Sequence, residues 1–223
     1  MRRTYASILA IAAYMLAGSP SFAQGGAVVP DLTQVAEGKG WKVVGRKATS
    51  FQAEGRKGVH LDEGAGNGIA WLEDLDFANG TIELDLKGRN VPQASFVGVA
   101  FRVVDGQTHD AVYFRPFNFK SPNEVNRSHG VQYVSHPIHT WQKLRTEKPG
   151  VFESQVNPVP DPEGWFHARI VVAGSRIRIF VNDASSPSLS VDTLSERKGG
   201  RIGLWVGNGS DGWFANVKIT PAR

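Results

Sequence analysis

The chain has 223 residues, no cysteine, and 25 lysines and arginines against 21 aspartates and glutamates. Without cysteine it has no disulfide and no thiolate or cysteine-ligated metal chemistry, so its stability must come from a hydrophobic core. Removing Arg2 and Arg3 with the N-terminal segment described below leaves 23 basic residues (25 − 2) against 21 acidic ones. This near-neutral balance, with scattered basic residues, argues against nucleic acid and anionic membranes as partners, because both select a clustered basic surface.

The first 23 residues have the pattern of a secretory signal peptide. Arg2 and Arg3 precede an apolar run over residues 8–16, and Ser21-Phe22-Ala23 is a small-x-small cleavage signal. The apolar run is too short to span a membrane. The pattern predicts export to the periplasm or beyond the cell, with cleavage after Ala23 and no membrane attachment afterwards.

The rest of the chain is typical of an all-β protein. Residues 24–40 form a predicted N-terminal leader, of which 24–30 are expected to be loose, and 41–223 form one domain, expected as a monomer. Period-two alternation and turn residues predict strands at 41–44, 50–54, 58–61, 68–72, 81–87, 96–104, 112–117, 130–135, 150–156, 165–172, 176–182, 200–207 and 213–220. Short turns at 173–175 and 208–212 predict two hairpins. With no long helix, the pattern predicts a jelly-roll sandwich of two antiparallel sheets.

The stretch 111–141 is the densest mixture of aromatic, guanidinium, amide and imidazole groups in the chain. Such groups bind sugars, because planar donors bond to hydroxyls while aromatic faces pack against the C–H groups of the ring. The alternative is that Arg115 pairs with a carboxylate and the aromatics fill a core. The candidate sugar-binding residues are Arg102, Tyr113, Arg115, Asn118, Arg127, Gln132, His136, Trp141 and Trp205.

A series of short segments between residues 97 and 219 resembles the concanavalin A-like lectin/glucanase superfamily, and most of all its 3-keto-disaccharide hydrolase family of secreted domains. The matching segments are Gly98-Val99-Ala100-Phe101-Arg102, Val131-Gln132, Trp165 with 177–182, Gly200-Arg201-Ile202-Gly203-Leu204 and Phe214-Ala215-Asn216-Val217. The resemblance implies a concanavalin A-like sandwich that handles carbohydrate. Such domains typically carry an aromatic residue and a glutamate before the Val-Gln pair, where this chain has His129 and Gly130. The family's catalytic mechanism therefore does not follow from the resemblance.

Two residues are candidates for catalysis. Glu153 is a predicted acid/base or hydroxyl acceptor that shares a groove with Arg102, Arg115 and Gln132, and His129 is a predicted base for a lyase. Glu83 and Asp85 resemble part of the carboxylate motif of sandwich glucanases, but a solvated strand face explains them better. The interpretations that remain are a sugar-binding domain, a glycoside hydrolase or keto-sugar lyase using Glu153 or His129, and a structural module without a ligand.

No cofactor is required by the sequence. Asp211 and Asn216 could supply hard oxygen ligands, so a structural calcium is an expectation at that position. A turn that tolerates positive φ also explains the segment 207–212. His136-Pro137-Ile138-His139 is not a transition-metal pair, because Pro137 argues against the helix on which that spacing would matter.

Overall fold

Fourteen strands form the fold of residues 26–222, the part of the chain that the computed structural model describes. The strands are β1 (Trp41–Val44), β2 (Ala48–Ala53), β3 (Arg56–Leu61), β4 (Gly68–Leu72), β5 (Gly80–Lys87), β6 (Val97–Val103), β7 (His109–Phe114), β8 (Val131–His136), β9 (Glu153–Ser154), β10 (Phe166–Ala173), β11 (Arg176–Val181), β12 (Leu189–Asp192), β13 (Arg201–Val206) and β14 (Gly212–Pro221). Three short helices join them: α1 (Pro116–Phe119), α2 (Glu124–Arg127) and α3 (Trp141–Glu147).

The strands form two seven-stranded antiparallel sheets. Sheet one has the order β1-β4-β13-β6-β7-β8-β9, and sheet two has the order β12-β11-β10-β5-β14-β3-β2. Half of the twelve neighbouring strand pairs join strands that are not consecutive in the chain, as in a jelly roll. The predicted all-β, two-sheet antiparallel sandwich is confirmed.

The inner faces of the sheets form the core. In β5, Ile82, Leu84 and Leu86 are fully buried, as their alternation predicts, and burying each side chain contributes about 2 kcal/mol. Phe114 of sheet one meets Phe166 of sheet two edge to face, with ring centroids 5.0 Å apart. The outer side of sheet one is therefore the surface left for polar and aromatic side chains of β7, β8 and β13.

One predicted hairpin is confirmed and the other is wrong. β10 and β11 pair across a two-residue turn, with Ala173 opposite Arg176. β13 and β14 do not pair, because β13 lies between β4 and β6 in sheet one while β14 lies between β5 and β3 in sheet two. The segment 207–211 therefore carries the chain from one sheet to the other. The turn residues of the two segments are alike, so the local sequence does not distinguish a hairpin from a connection between sheets. Long-range strand pairing decides between the two.

Part of the predicted leader is packed rather than loose. Val28 forms an antiparallel bridge with Ile219, and a 3-10 helix over Leu32–Val35 buries Leu32 and Val35 in the core. The Asp31 side chain accepts from the backbone N–H of Thr33 and caps this helix. The predicted signal peptide, residues 1–23, lies outside the described residues. None of the helices between residues 26 and 222 has the length and apolar character needed to cross a bilayer.

Arg102 lies inside the sandwich, in a buried polar cluster around Asp110. Its φ of 51° lies at a bulge where the pairing of β6 with β13 shifts register. The bulge turns the guanidinium toward Asp110 Oδ2 at 3.5 Å, Thr193 Oγ1 at 2.9 Å and the Gly174 carbonyl at 3.0 Å. Arg197 also donates to Asp110. The prediction that Arg102 shares a groove with Arg115 is therefore wrong.

Asp110→Asn should lower the free energy of unfolding by about 3 kcal/mol, because it leaves two buried or half-buried guanidinium groups without their counter-charge. Urea unfolding measures this directly. The matched control is Asp192→Asn, which breaks an exposed pair with Arg176 and should cost no more than about 1 kcal/mol. Equal losses in the two variants would contradict the assignment.

Candidate functional site

A buried arginine organises the outer side of sheet one. Arg115 occupies the N-cap position of α1, whose first residue is Pro116, so the chain changes from strand to helix directly after β7. Its guanidinium folds back over the Tyr113 ring, with 4.8 Å from Cζ to the ring centroid. Nη2 donates to the Tyr113 hydroxyl at 2.7 Å and to Gln132 Oε1, and Nη1 donates to the His129 carbonyl at 2.9 Å. Tyr113 pairs with Gln132 across β7 and β8, which brings the group together.

The orientation of the Gln132 amide follows from its partners. Arginine can only donate, so the atom that faces Arg115 must be the carbonyl oxygen, which also accepts from the Tyr113 hydroxyl at 2.8 Å. The Gln132 Nε2 group is then left as a buried donor without a hydrogen-bond partner among residues 26–222. Trp205 Nε1 is a second buried donor of this kind in the same part of the chain. Buried donors without acceptors are uncommon in proteins and mark places where a ligand or water can bind.

Glycine at position 98 allows the two aromatic rings of this surface to meet. Gly98 of β6 lies between Tyr113 on one neighbouring strand and Trp205 on the other. A Cβ at this position would lie 2.1 Å from the Val112 carbonyl oxygen. Without a side chain in between, the Tyr113 and Trp205 rings approach to 5.0 Å between centroids.

Glu153 is on β9, at the edge of sheet one, and lies opposite Gln132 of β8. Arg145 holds both of its oxygens, with Nε 3.1 Å from Oε1 and Nη2 2.8 Å from Oε2. Arg115 Nη1 is 3.9 Å from Oε2, and the Glu153 side chain is only 3% exposed. Because its oxygens are covered, Glu153 can orient Arg145 and His129 better than it can reach a ligand.

His129 packs on Glu153, with Nδ1 2.9 Å from Oε2. Nδ1 nevertheless makes no hydrogen bond of acceptable geometry with an acceptor among residues 26–222. Burial is the main cause that lowers the pKa of His129, and Arg145 and Arg115 lower it further against the opposing effect of Glu153. His129 is therefore a neutral imidazole at pH 7.

Two clefts lie side by side above this group. The Arg115 cleft, of about 470 Å³, is lined by Arg115, Asn118, His129, Trp141 and Arg145, together with Asn90, Pro92, Gln93, Phe96, Phe117, Lys120, Ser121, Pro122, Asn126 and Pro162. The Trp205 cleft, of about 320 Å³, is lined by Trp205, Tyr113, His136 and others, and it shares Phe96 and Trp141 with the first. The two clefts therefore form one continuous surface, with the 41% exposed Trp141 side chain at their junction.

The structure brings together most of the predicted sugar-binding residues. Arg115 and Asn118 line the Arg115 cleft, and Tyr113, His136 and Trp205 line the Trp205 cleft. Trp141 lines both, while Gln132 and Glu153 lie beneath them. Arg127 is an exception, because its guanidinium donates to the Ser121 and Pro122 carbonyls and holds the loop before α2. The predicted role of Arg127 in binding is therefore replaced by a structural one.

Sequence reasoning missed Arg145, Phe96 and Lys120. Arg145 lies one helical turn after Trp141 on α3, and its guanidinium is 5.0 Å from the Trp141 ring centroid. An aromatic residue and an arginine spaced i, i+4 are neighbours on a helix, so this pair was a usable signal once a helix was expected there. Phe96 and Lys120 carried no comparable signal, because only the fold places them at the clefts.

The two predicted calcium ligands have different partners. Asp211 Oδ1 lies 2.7 Å from Arg89 Nε, and its Oδ2 lies 3.2 Å from His60 Nε2. Asn216 donates through Nδ2 to Asp85 Oδ2 at 2.8 Å. Both Asp211 oxygens therefore face nitrogen groups of Arg89 and His60, and the Asn216 amide is turned toward a different carboxylate, that of Asp85. In the described part of the chain, no group of three His, Asp or Glu residues has a metal-binding arrangement.

Asp85, on the outer side of sheet two, is buried and forms ion pairs rather than being a solvated residue. It accepts from Arg56, Asn216 and His167. Burial alone would raise its pKa, but these hydrogen bonds outweigh it and lower the pKa of Asp85 to about 2. The same contact with Asp85 raises the pKa of His167. Glu83, predicted to be solvated, is half-buried and pairs with Lys218 at 3.3 Å.

His109→Leu should make the protein more resistant to acid. Burial, aided by repulsion from His136 and Arg197, lowers the pKa of His109 to about 3. Below pH 6.5 the unfolded chain binds a proton that the folded chain does not, so the folded state loses stability as the pH falls toward 3. Between pH 6.5 and 4 the wild type should lose about 3 kcal/mol more than the variant. Urea unfolding across this range measures the difference, and parallel curves would contradict it.

The family model described as the 3-keto-alpha-glucoside-1,2-lyase-like domain matches residues 32–220. The chain belongs to this family. The match spans nearly all of the two sheets and both clefts, so the predicted family resemblance is confirmed. A search of curated proteins finds no match.

Solved structures that are similar to the chain share its fold. The carbohydrate-binding module CBM66 from Bacillus subtilis has a TM-score of 0.56 at 16% identity, with 81% of this chain and 95% of that chain covered. A Bacillus subtilis protein of unknown function with a galectin-like fold has a TM-score of 0.57 at 12% identity, covering 91% and 100%. The exoplasmic/lumenal domain of VIP36, with Ca²⁺ and Man3GlcNAc bound, has a TM-score of 0.52 at 9% identity, covering 82% and 84%. These likenesses establish a concanavalin A-like or galectin-like sandwich.

Proposed function

We propose that the chain is an exported protein that binds a sugar or oligosaccharide across the Arg115 and Trp205 clefts. The observation that carries the proposal is the buried Arg115–Tyr113–Gln132 array beneath the clefts, together with two buried donors, Gln132 Nε2 and Trp205 Nε1, that have no protein partner among the described residues. Export is proposed from residues 1–23 alone.

The chemistry of the two clefts matches that of a sugar. Fixed amide and guanidinium donors bond to hydroxyl oxygens, while Trp141 and Phe96 offer apolar surface at the junction of the clefts. The donors are held in place by other buried groups, so they are ordered before a ligand arrives. Such preorganisation reduces the entropy cost of binding.

The structural likeness supports the same class of ligand. CBM66 is described as a carbohydrate-binding module, and the VIP36 domain is described with Man3GlcNAc bound. These descriptions concern those proteins, and they bear on this chain through a shared fold. The placement of Arg115, Gln132 and Trp205 on one side of sheet one adds a reason that belongs to this chain.

Trp141→Ala should weaken binding of the best glycan about tenfold, since a half-exposed aromatic wall is removed from the junction of both clefts. A glycan array identifies the ligand, and isothermal titration calorimetry measures the loss. Trp165→Ala is the matched control, because Trp165 lines a separate cleft with Trp213 on sheet two. Equal affinity losses in both variants, or none for Trp141→Ala, would place the ligand elsewhere.

A second candidate function is elimination from a 3-keto-glycoside, which the family description names. The observation that favours it is His129, a neutral imidazole in the wall of the Arg115 cleft with Glu153 against its Nδ1. In this reaction His129 takes the proton from C2, which the neighbouring C3 ketone acidifies. The C1–O bond then breaks, and the departing oxygen takes up a proton.

His129→Gln should lower the rate of this elimination at least a hundredfold, because a general base contributes about 10²- to 10⁴-fold, and should leave substrate binding within about threefold. Incubation with a 3-keto-glucoside, followed by absorbance of the unsaturated keto sugar, measures the rate. An unchanged rate in the variant would remove His129 as the base. No product from the wild type would leave sugar binding as the function.

A further inference from the structure

The Arg115 cleft has an excess of positive charge. Its lining includes Arg115, Lys120 and Arg145 and, among the described residues, no aspartate or glutamate. Glu153 lies behind this wall, and Arg145 engages both of its oxygens. Around this cleft the single carboxylate of Glu153 is therefore outnumbered by the three cations Arg115, Lys120 and Arg145. The chain without residues 1–23 is close to neutral as a whole.

Hydrogen-bond donors are also in excess over acceptors. Arg115 and Lys120 have no acceptor atoms, and the Gln132 carbonyl is already used by Arg115 and Tyr113. Outside the lining of this cleft, Gln132 Nε2 beneath it and Trp205 Nε1 in the neighbouring cleft are buried donors without partners in the described chain. A neutral hydroxyl both donates and accepts, whereas a carboxylate or sulfate only accepts. The cationic lining of the cleft therefore suits an anion better than a hydroxyl.

The cleft on sheet two provides a contrast within the same molecule. This Trp165 cleft, of about 500 Å³, has a comparable size and two tryptophans in its lining. Its charges are balanced, with Glu54 and Glu163 against Lys87 and Arg89, and Lys87 pairs directly with Glu54 at 2.8 Å. An excess of cations is therefore specific to the Arg115 cleft and is not a general property of the surface.

We propose that the sugar bound in the Arg115 cleft is acidic, so that a carboxylate or sulfate group on the ring lies against Arg115, Lys120 and Arg145. This inference rests on the proposed function, since it names the class of sugar that the same clefts bind. Amide side chains at the rim, from Asn90, Gln93 and Asn126, remain for the hydroxyl groups.

Matched pairs of oligosaccharides test the inference. Trimers of galacturonate, glucuronate and mannuronate are titrated beside their methyl esters, which keep the rings and linkages but remove the charge, and a sulfated trimer forms a further arm. At least one acidic trimer should bind at least tenfold more tightly than its ester at about 50 mM salt, and this preference should shrink at about 500 mM salt. The uronate and sulfate arms show which anion is preferred.

Lys120 provides a variant that should not disturb folding, because its side chain is exposed. Lys120→Gln should weaken binding of the acidic trimer two- to fivefold, in the range of about one exposed charge contact, and should leave the ester unchanged. Lys120→Glu should weaken the acidic trimer further. Lys57→Gln, which removes one exposed positive charge from β3 in sheet two, should change neither.

Each outcome separates the inference from the proposed function. If a neutral glycan or an ester binds as tightly as every acidic form, the acidic class is wrong while sugar binding stands. If acidic trimers bind but Lys57→Gln weakens them as much as Lys120→Gln, the anion lies elsewhere and the inference fails. If no glycan of either class binds, sugar binding fails and the acidic class fails with it.

Discussion

A buried guanidinium needs acceptors around it, and Arg115 meets this requirement in a way that shapes the whole outer side of sheet one. Its side chain is 5% exposed and takes the Tyr113 hydroxyl, the Gln132 carbonyl oxygen and the His129 carbonyl as acceptors. Leaving a buried charge unsatisfied costs several kcal/mol. The same bonds therefore fix the end of β7, the loop that carries α1 and α2, and the orientation of the Gln132 amide.

The cleft chemistry follows from this constraint. Because the Gln132 oxygen faces Arg115, its amide nitrogen remains as a donor, and because Glu153 is held by Arg145, it contributes charge without an accessible oxygen. His129 stays neutral between Glu153 and two arginines. The result is a rigid surface that donates hydrogen bonds. That property is common to the binding and elimination candidates and distinguishes this surface from the charge-balanced cleft on sheet two.

The sequence predicted the fold well because short strands with buried alternate residues depend on local patterns. The alternation of Ile82, Leu84 and Leu86 was sufficient to orient β5. Prediction from local patterns failed where long-range pairing decides which strands are neighbours. The glycine-rich connection between β13 and β14 resembles a hairpin turn, but it joins two different sheets.

The site was harder to predict, for three physical reasons. The bulge at Arg102, with its positive φ, reverses the direction that simple alternation gives to that side chain. The register that sets Tyr113 opposite Gln132 cannot be deduced from either strand alone. Arg145 reaches Glu153 from a short helix that packs against β8, and neither contact can be deduced from the sequence around the helix.

The central claim is that ligand binding occurs on the outer side of sheet one, over the Arg115–Tyr113–Gln132 array. The most direct measurement is a ¹H–¹⁵N NMR titration of the chain with its best-binding glycan, following the indole signals of its six tryptophans and the side-chain amide of Gln132. The signals of Trp205 Nε1 and Gln132 Nε2 should move, while those of Trp165 and Trp213 on sheet two stay in place. Movement of Trp165 and Trp213 with Trp205 and Gln132 unchanged would contradict the claim.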